Sequence, residues 1–284
     1  MKNNIDPKWT TIIKPKTSLF TLNLKDIWKY RDLIKMFVRR DFYVIYKQTV
    51  LGPVWFIIQP LFTAGMFSFI FGSVAKISTD GIPPLLFYMA GVINWAYFSD
   101  CLSNTSNTFA GNAGLFGKVY FPRLTVPISI VILNTIKYSI KYLVFIVTFF
   151  IFIYQGHEFK YNWIIILTPI LILYMSLIGL GFGIWISSVT TKYRDIRMVL
   201  PFFVQLWMYA TPVIYPISII PEKYKVFILL NPMAPVIEIF RVAYLGAGTI
   251  SINHLLISIG ITFSVLLSGI IIFNRIERTF MDTV

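Results

Sequence analysis

The residues with the most chemical potential lie where charge is costly. Asp100 falls inside one long apolar stretch, and Lys137 and Lys141 lie in the next, one helical turn apart. An ionised group at membrane depth is stable only when paired or hydrated. Two readings follow. In one, these residues form a polar pathway or an interhelical ion pair, with Asp100 and Lys137 as the expected partners. In the other, Lys137 and Lys141 reach toward an interface and Asp100 lies near the cytoplasmic end of its helix. Helix rise places Asp100 nearer the cytosol than Lys137, and structural roles are the preferred reading. Glu238 and Arg241 stand three residues apart, the spacing of a helical ion pair.

Other chemistries lack their residues. The nearest approach to a phosphate-binding loop runs from Gly111 to Lys118, but five residues separate Gly111 from Gly117 and Val119 replaces the hydroxyl ligand. Cys101 is the only cysteine and sits in apolar sequence, while His157 and His254 stand alone. No disulfide, metal site or catalytic residue is nominated, and intrinsic enzyme activity is not expected.

The elements that must position these residues are membrane helices. Of 284 residues, 57% are hydrophobic and only 13% are charged, more apolar surface than a water-soluble fold can hide. The charges cluster and leave long uncharged runs, several exceeding the roughly 20 residues that cross a bilayer. In lipid each span must satisfy its own backbone, and the alternation of a membrane barrel is absent, so the fold class is an all-α integral membrane protein. About six spans are expected, near 54–75, 84–108, 125–153, 162–187, 198–217 and 252–273. Most Lys and Arg then fall on the side of the two termini. The opposite loops hold only Lys76, Lys160, Lys223, Lys225 and Arg241, so both termini are expected in the cytoplasm. Residues 1–53 are polar and basic, without the pattern of a cleavable leader. The net charge of +13 is the positive-inside bias plus a basic tail, 1–23, set against anionic membrane lipid; nucleic-acid binding is not expected.

Three segments between spans read as separate elements. Residues 24–40 place Leu24, Ile27, Trp28, Leu33, Ile34, Phe37 and Val38 toward one helix side, an amphipathic helix along the cytoplasmic surface. Residues 111–123 form a short cytoplasmic segment. Residues 218–248 contain a short helix opened by Asn231-Pro232 that re-enters the outer leaflet. Aromatic residues crowd the first and fifth spans. Such rings can stack on sugar C–H faces, but they also fill packed and lipid-facing positions, which the count alone favours.

The stretch RRDFYVIYKQTVLGPVWFIIQPL at 39–61 resembles the opening of ABC-2-type polysaccharide exporter permeases, the membrane subunits that export O-antigen, teichoic acids and capsule-like glycans. The likeness continues through FYMAGVINWAYFS (87–99), GKVYFPRLTVP (117–127), TKYRDIRMVLPFFVQLWMYATPVIYP (191–216), LNPMAPVIEIFR (230–241) and IERTFMD (276–282). It runs in order over roughly 25–284, of which 41–284 would be the six-helix ABC-2-type transmembrane domain. The resemblance implies a homodimer in the inner membrane of a bacterium. Each subunit would bind a separate cytoplasmic ABC ATPase, which holds the ATP and Mg; this chain would carry no cofactor.

The resemblance also implies roles for segments. Asn112–Arg123 would be the coupling helix that meets the ATPase through Asn112, Leu115, Phe116, Lys118, Tyr120 and Arg123. Tyr193, Arg194 and Asp195 would support that contact, and 24–40 would be the interface helix. Residues 218–248 would form periplasmic gate helices. Trp55, Phe62, Phe202, Trp207, Tyr209 and Tyr215 would line the channel of an undecaprenyl-linked glycan. Arg39 and Arg40 would guide its pyrophosphate at the entrance. Ile45 stands before Tyr46 where the family often has arginine, so that residue's contacts are not carried over. Asp100, Lys137 and Lys141 are not foreseen by the family pattern. The rival readings are an ABC-2-type exporter of a drug or lipid, a membrane-embedded glycan-modifying enzyme, and an ion-coupled carrier.

Overall fold

A computed structural model describes residues 24–47 and 52–283, so the basic tail at 1–23 and positions 48–51 of the first motif lie outside the described residues. Among the described residues all regular structure is helical. Five stretches are long and apolar enough to cross a bilayer: Trp55–Val74, Pro84–Ser106, Thr125–Tyr154, Trp163–Thr190 and Ile252–Glu277. They coincide with five of the expected spans. Trp55–Phe67 (α3) carries Pro60 inside it and widens into i→i+5 bonding over Ser68–Val74.

Pro84–Ser106 (α4) is the axis of the subunit and is buried on nearly every side. That is what an all-round apolar helix does when other helices surround it. Thr168–Thr190 (α8) lies against it through glycines, because a Cβ on Gly183 would stand 2.6 Å from Thr105 Cβ. Small residues at such a crossing let the two backbones approach and gain dispersion contacts where lipid offers no hydrophobic drive. Thr125–Tyr154 (α7) packs on another side of α4, and α3 also packs on α4. Ile252–Thr283 (α12) covers α8.

The expected fifth span, 198–217, is only partly helical. Its helix, Ile196–Tyr209 (α9), is about 21 Å long at 1.5 Å per residue, short of a bilayer core. Thr211 precedes Pro212, and a residue before proline is disfavoured in the α region. The chain continues irregularly, with residues 211–214 buried. Non-helical backbone at this depth is tolerated only when protein satisfies it. Here Asn231 Nδ2 donates to Thr211 Oγ1 (2.8 Å) and Ala210 O (3.4 Å), and Arg241 Nη2 donates to Val213 O (2.8 Å). Gly91 of α4 admits the segment, since a Cβ there would lie 2.7 Å from Val213 O.

Those capping side chains come from a bent pair of helices, Glu222–Leu229 (α10) and Ala234–Leu245 (α11), which meet at 100°. The α11 helix is buried over most of its length, against α4, α8 and α12. The expected pairing of Glu238 with Arg241 is present at 3.3 Å, with both side chains buried.

At the other end, the expected amphipathic helix 24–40 is two helices, Leu24–Lys29 (α1) and Arg31–Lys47 (α2). It turns at Tyr30 and runs on to Lys47, with Ile27, Ile34 and Phe37 buried. The α2 helix packs along α7. The expected coupling helix at 112–123 is likewise not continuous. Two single turns, Thr108–Gly111 (α5) and Ala113–Phe116 (α6), lead into a non-helical stretch before α7, as three glycines across 111–123 and Pro122 dispose it to do.

Candidate transport path and partner surfaces

The segment after α4 is pinned from beneath by aromatic rings. Phe116 packs on Phe109 (6.1 Å) and Phe121 (5.7 Å), Phe121 meets Phe37 of α2 (5.9 Å), and Phe109 meets Phe273 of α12 (4.5 Å). Arg123 is largely buried, lying over the Phe116 ring (5.4 Å) and 3.9 Å from Glu277. Burial pulls its guanidinium below the ordinary value, and Glu277 opposes that shift. Phe116 and Arg123 are therefore turned into the anchor. Lys118 and Tyr120 are presented outward; Leu115 is half-buried, and Asn112 donates to Thr108 O at 2.9 Å. Tyr193, Arg194 and Asp195 are exposed in the turn between α8 and α9. Phe109, Phe121 and Phe273 were missed by sequence reasoning; Phe109 and Phe121 flank the same short segment, but nothing in the spacing signals their meeting with Phe37 and Phe273, which lie far away in the chain.

The aromatic residues assigned to a path separate into two sets. Trp55, Phe62, Phe202 and Tyr209 are exposed on α3 and α9, which each pack on α4 along one side. Trp207 is turned inward, between Trp95 (6.1 Å), Phe98 (5.1 Å) and Phe182 (5.1 Å). It is half-buried and packs within one subunit, unlike the four exposed rings. Tyr215 is half-buried and donates to Tyr209 O at 3.1 Å. Arg39 and Arg40 are exposed on α2; Arg39 lies over the Tyr43 ring and Arg40 donates to Asp41 at 2.7 Å.

The α4–α7 contact is polar over several turns. Tyr138 OH donates to Asn94 Oδ1 (2.7 Å), and Tyr97 shares a hydrogen bond with Thr135 (2.8 Å). Asp100 pairs with Lys141 at 3.2 Å rather than with Lys137, which instead donates to Asn134 Oδ1 at 3.4 Å. The flexible Lys141 stem runs along α7 to reach a carboxylate that helix register alone would not offer it.

A bundle of long apolar helices around one buried helix, with a bent helix pair and an aromatic-pinned loop between spans, is the architecture of a multi-pass membrane protein. The ABC-2 type transporter family model matches residues 32–245, well over half of the chain, and the chain belongs to that family. An O-antigen export system permease protein, RfbA, of Klebsiella pneumoniae is 28% identical over 251 residues, covering 88% of this chain and 94% of that protein. RfbA of Myxococcus xanthus is 23% identical over 224 residues, covering 78% and 83%. The polysialic acid transport protein KpsM of Escherichia coli is 26% identical over 212 residues, covering 72% and 79%.

Proposed function

We propose that this chain is the permease subunit of an ATP-driven exporter that moves a lipid-linked polysaccharide across the inner membrane of a bacterium. The observation that carries the reading is similarity along nearly the full length of both chains to permeases named for O-antigen export. Two copies would enclose the path with the exposed rings of α3 and α9. A separate cytoplasmic ABC ATPase, holding ATP and Mg, would press on the 112–123 segment through Lys118 and Tyr120 and on Tyr193, Arg194 and Asp195. Phe116 and Arg123 would carry that push into α2 and α12 through the aromatic anchor rather than touch the partner. The basic faces and both termini would lie in the cytoplasm, with Arg39 and Arg40 at the entrance, and α10–α11 would gate the periplasmic exit. The test is ATPase activity and glycan transport by the chain alone and with its co-purifying subunit. Hydrolysis only in a two-plus-two complex supports the reading. Transport with no ATPase bound overturns it in favour of an ion-coupled carrier.

A further inference from the structure

The cluster formed by Asp100, Asn104, Asn134, Lys137 and Lys141 has more donors than its own acceptors can use. Lys141 is 5% exposed and spends one N–H on Asp100. Asn134 Oδ1 accepts twice, from Asn104 Nδ2 at 3.2 Å and from Lys137 Nζ at 3.4 Å. The same amide's Nδ2 is buried, and the Cys101 thiol, a weak acceptor, is the neighbour it can donate to. A buried amide N–H left with so weak an acceptor is expensive, and two ammonium groups against one carboxylate make the excess positive as well. The other charges nearby do not cancel it. Asp41 of α2 lies within electrostatic reach of Lys137, but it is already held by Arg40 at 2.7 Å. The site is also open: the Asp100 side chain is 41% exposed, and Asn104 is exposed beside it.

We propose that Lys137, Lys141 and Asn134 form a binding site, at membrane depth between α4 and α7, for a phosphate-type anion. A phosphate offers several acceptor oxygens and compact negative charge, which is what two ammonium groups and an amide donor with only a weak thiol acceptor call for. Asp100 keeps Lys141 aimed into the site and limits the net charge, so that the anion is released again. This rests on the export reading, in which the anion belongs to the lipid carrier of the glycan; a soluble phosphate has the same chemistry.

The full chain in lipid nanodiscs, alone and with its ATPase subunit, is tested by native mass spectrometry with polyprenyl phosphate, neutral polyprenol and dissolved inorganic pyrophosphate. Wild type retains polyprenyl phosphate and not polyprenol. Lys137→Gln retains about tenfold less, as loss of one charge-assisted contact predicts. Lys137→Arg keeps the charge and the binding, and Lys76→Gln, at the opposite end, binds as wild type. Lys137 serves as the main probe because it shares no ion pair with Asp100 and its removal leaves the fold's pairs intact. Displacement by pyrophosphate assigns the site to free phosphates, and its failure to displace assigns the site to the lipid headgroup. Equal retention of polyprenol by wild type, or unchanged retention by Lys137→Gln, overturns the proposal. Because the count is also made on the chain alone, a missing ATPase subunit sinks the export reading without deciding the site. Glycan transport with Lys137→Gln retention unchanged sinks the site and leaves that reading standing.

Discussion

Two of the ion pairs among the described residues, Glu238–Arg241 and Asp100–Lys141, are finished to different degrees. Glu238 and Arg241 are sealed: their side chains are 4% and 1% exposed, Glu238 Oε1 accepts from Arg241, and its Oε2 accepts from Thr249 N at 3.1 Å. Arg241 also binds Val213 O and lies 3.7 Å from the centre of the Phe87 ring. Asp100 and Lys141 share only each other, and the carboxylate reaches open space. A sealed pair fixes backbone, here the irregular end of α9, even though Arg241 Nε is buried without a hydrogen-bond partner among the described residues. An open pair with donors to spare does not fix anything that strongly, and its cost is justified by what it can bind.

The difference is broken most directly by removing one cation from each pair. Arg241→Met strands Glu238 in the core and frees Val213 O, so it is expected to cost about 3–5 kcal/mol and collapse the yield of folded protein. Thermal unfolding in nanodiscs measures it, and a loss below about 1 kcal/mol would erase the contrast with Asp100. Trp207→Ala empties a site enclosed by three aromatic rings next to the same irregular segment, at about 3–5 kcal/mol. Gly183→Ala drives a methyl into the stiff Thr105 side chain and the Leu102 carbonyl of α4, and about 1–3 kcal/mol is expected in the same assay.

The spans themselves were legible because bilayer thickness acts on local sequence: Thr125–Tyr154 differs by one residue from the stretch read off its apolar run. The Glu238–Arg241 pair was legible for the same reason, being local to one helix. What escaped depends on partners far apart in the chain. The end of α9 at Tyr209 is set partly by Asn231 and Arg241, whose side chains complete its backbone. Asn231 was read only as a helix opener, although an amide before a proline-started helix can serve two elements at once. Trp207 and Phe202 look alike in sequence, and only the crossing of α9 on α4 decides that one is packed and the other exposed. Lys141 reached Asp100 because a long stem tolerates register errors that a short side chain cannot.

Lys141→Met sharpens the comparison from the other side. The stranded Asp100 is half open to its surroundings and lies near Lys137, so about 1 kcal/mol is expected, several-fold less than at Arg241. An equal loss at the two positions would mean that exposure of the carboxylate does not govern the cost.

The smallest effect on stability is expected at Phe202. Its ring is 59% exposed, and its closest aromatic neighbour is Phe203 at 6.2 Å, itself exposed on the same helix. Truncation to alanine removes little packing within the subunit, and the unfolding midpoint should move by no more than about 0.5 kcal/mol equivalent. Transport is a different quantity. If the exposed side of α9 meets the glycan, losing a ring that stacks on sugar C–H faces removes about 0.5–1.5 kcal/mol of contact and slows export by roughly two- to tenfold. Unchanged stability with slowed export in the reconstituted complex marks Phe202 as part of the path. Unchanged export with the same stability marks it as a lipid-facing residue and moves the path away from α9.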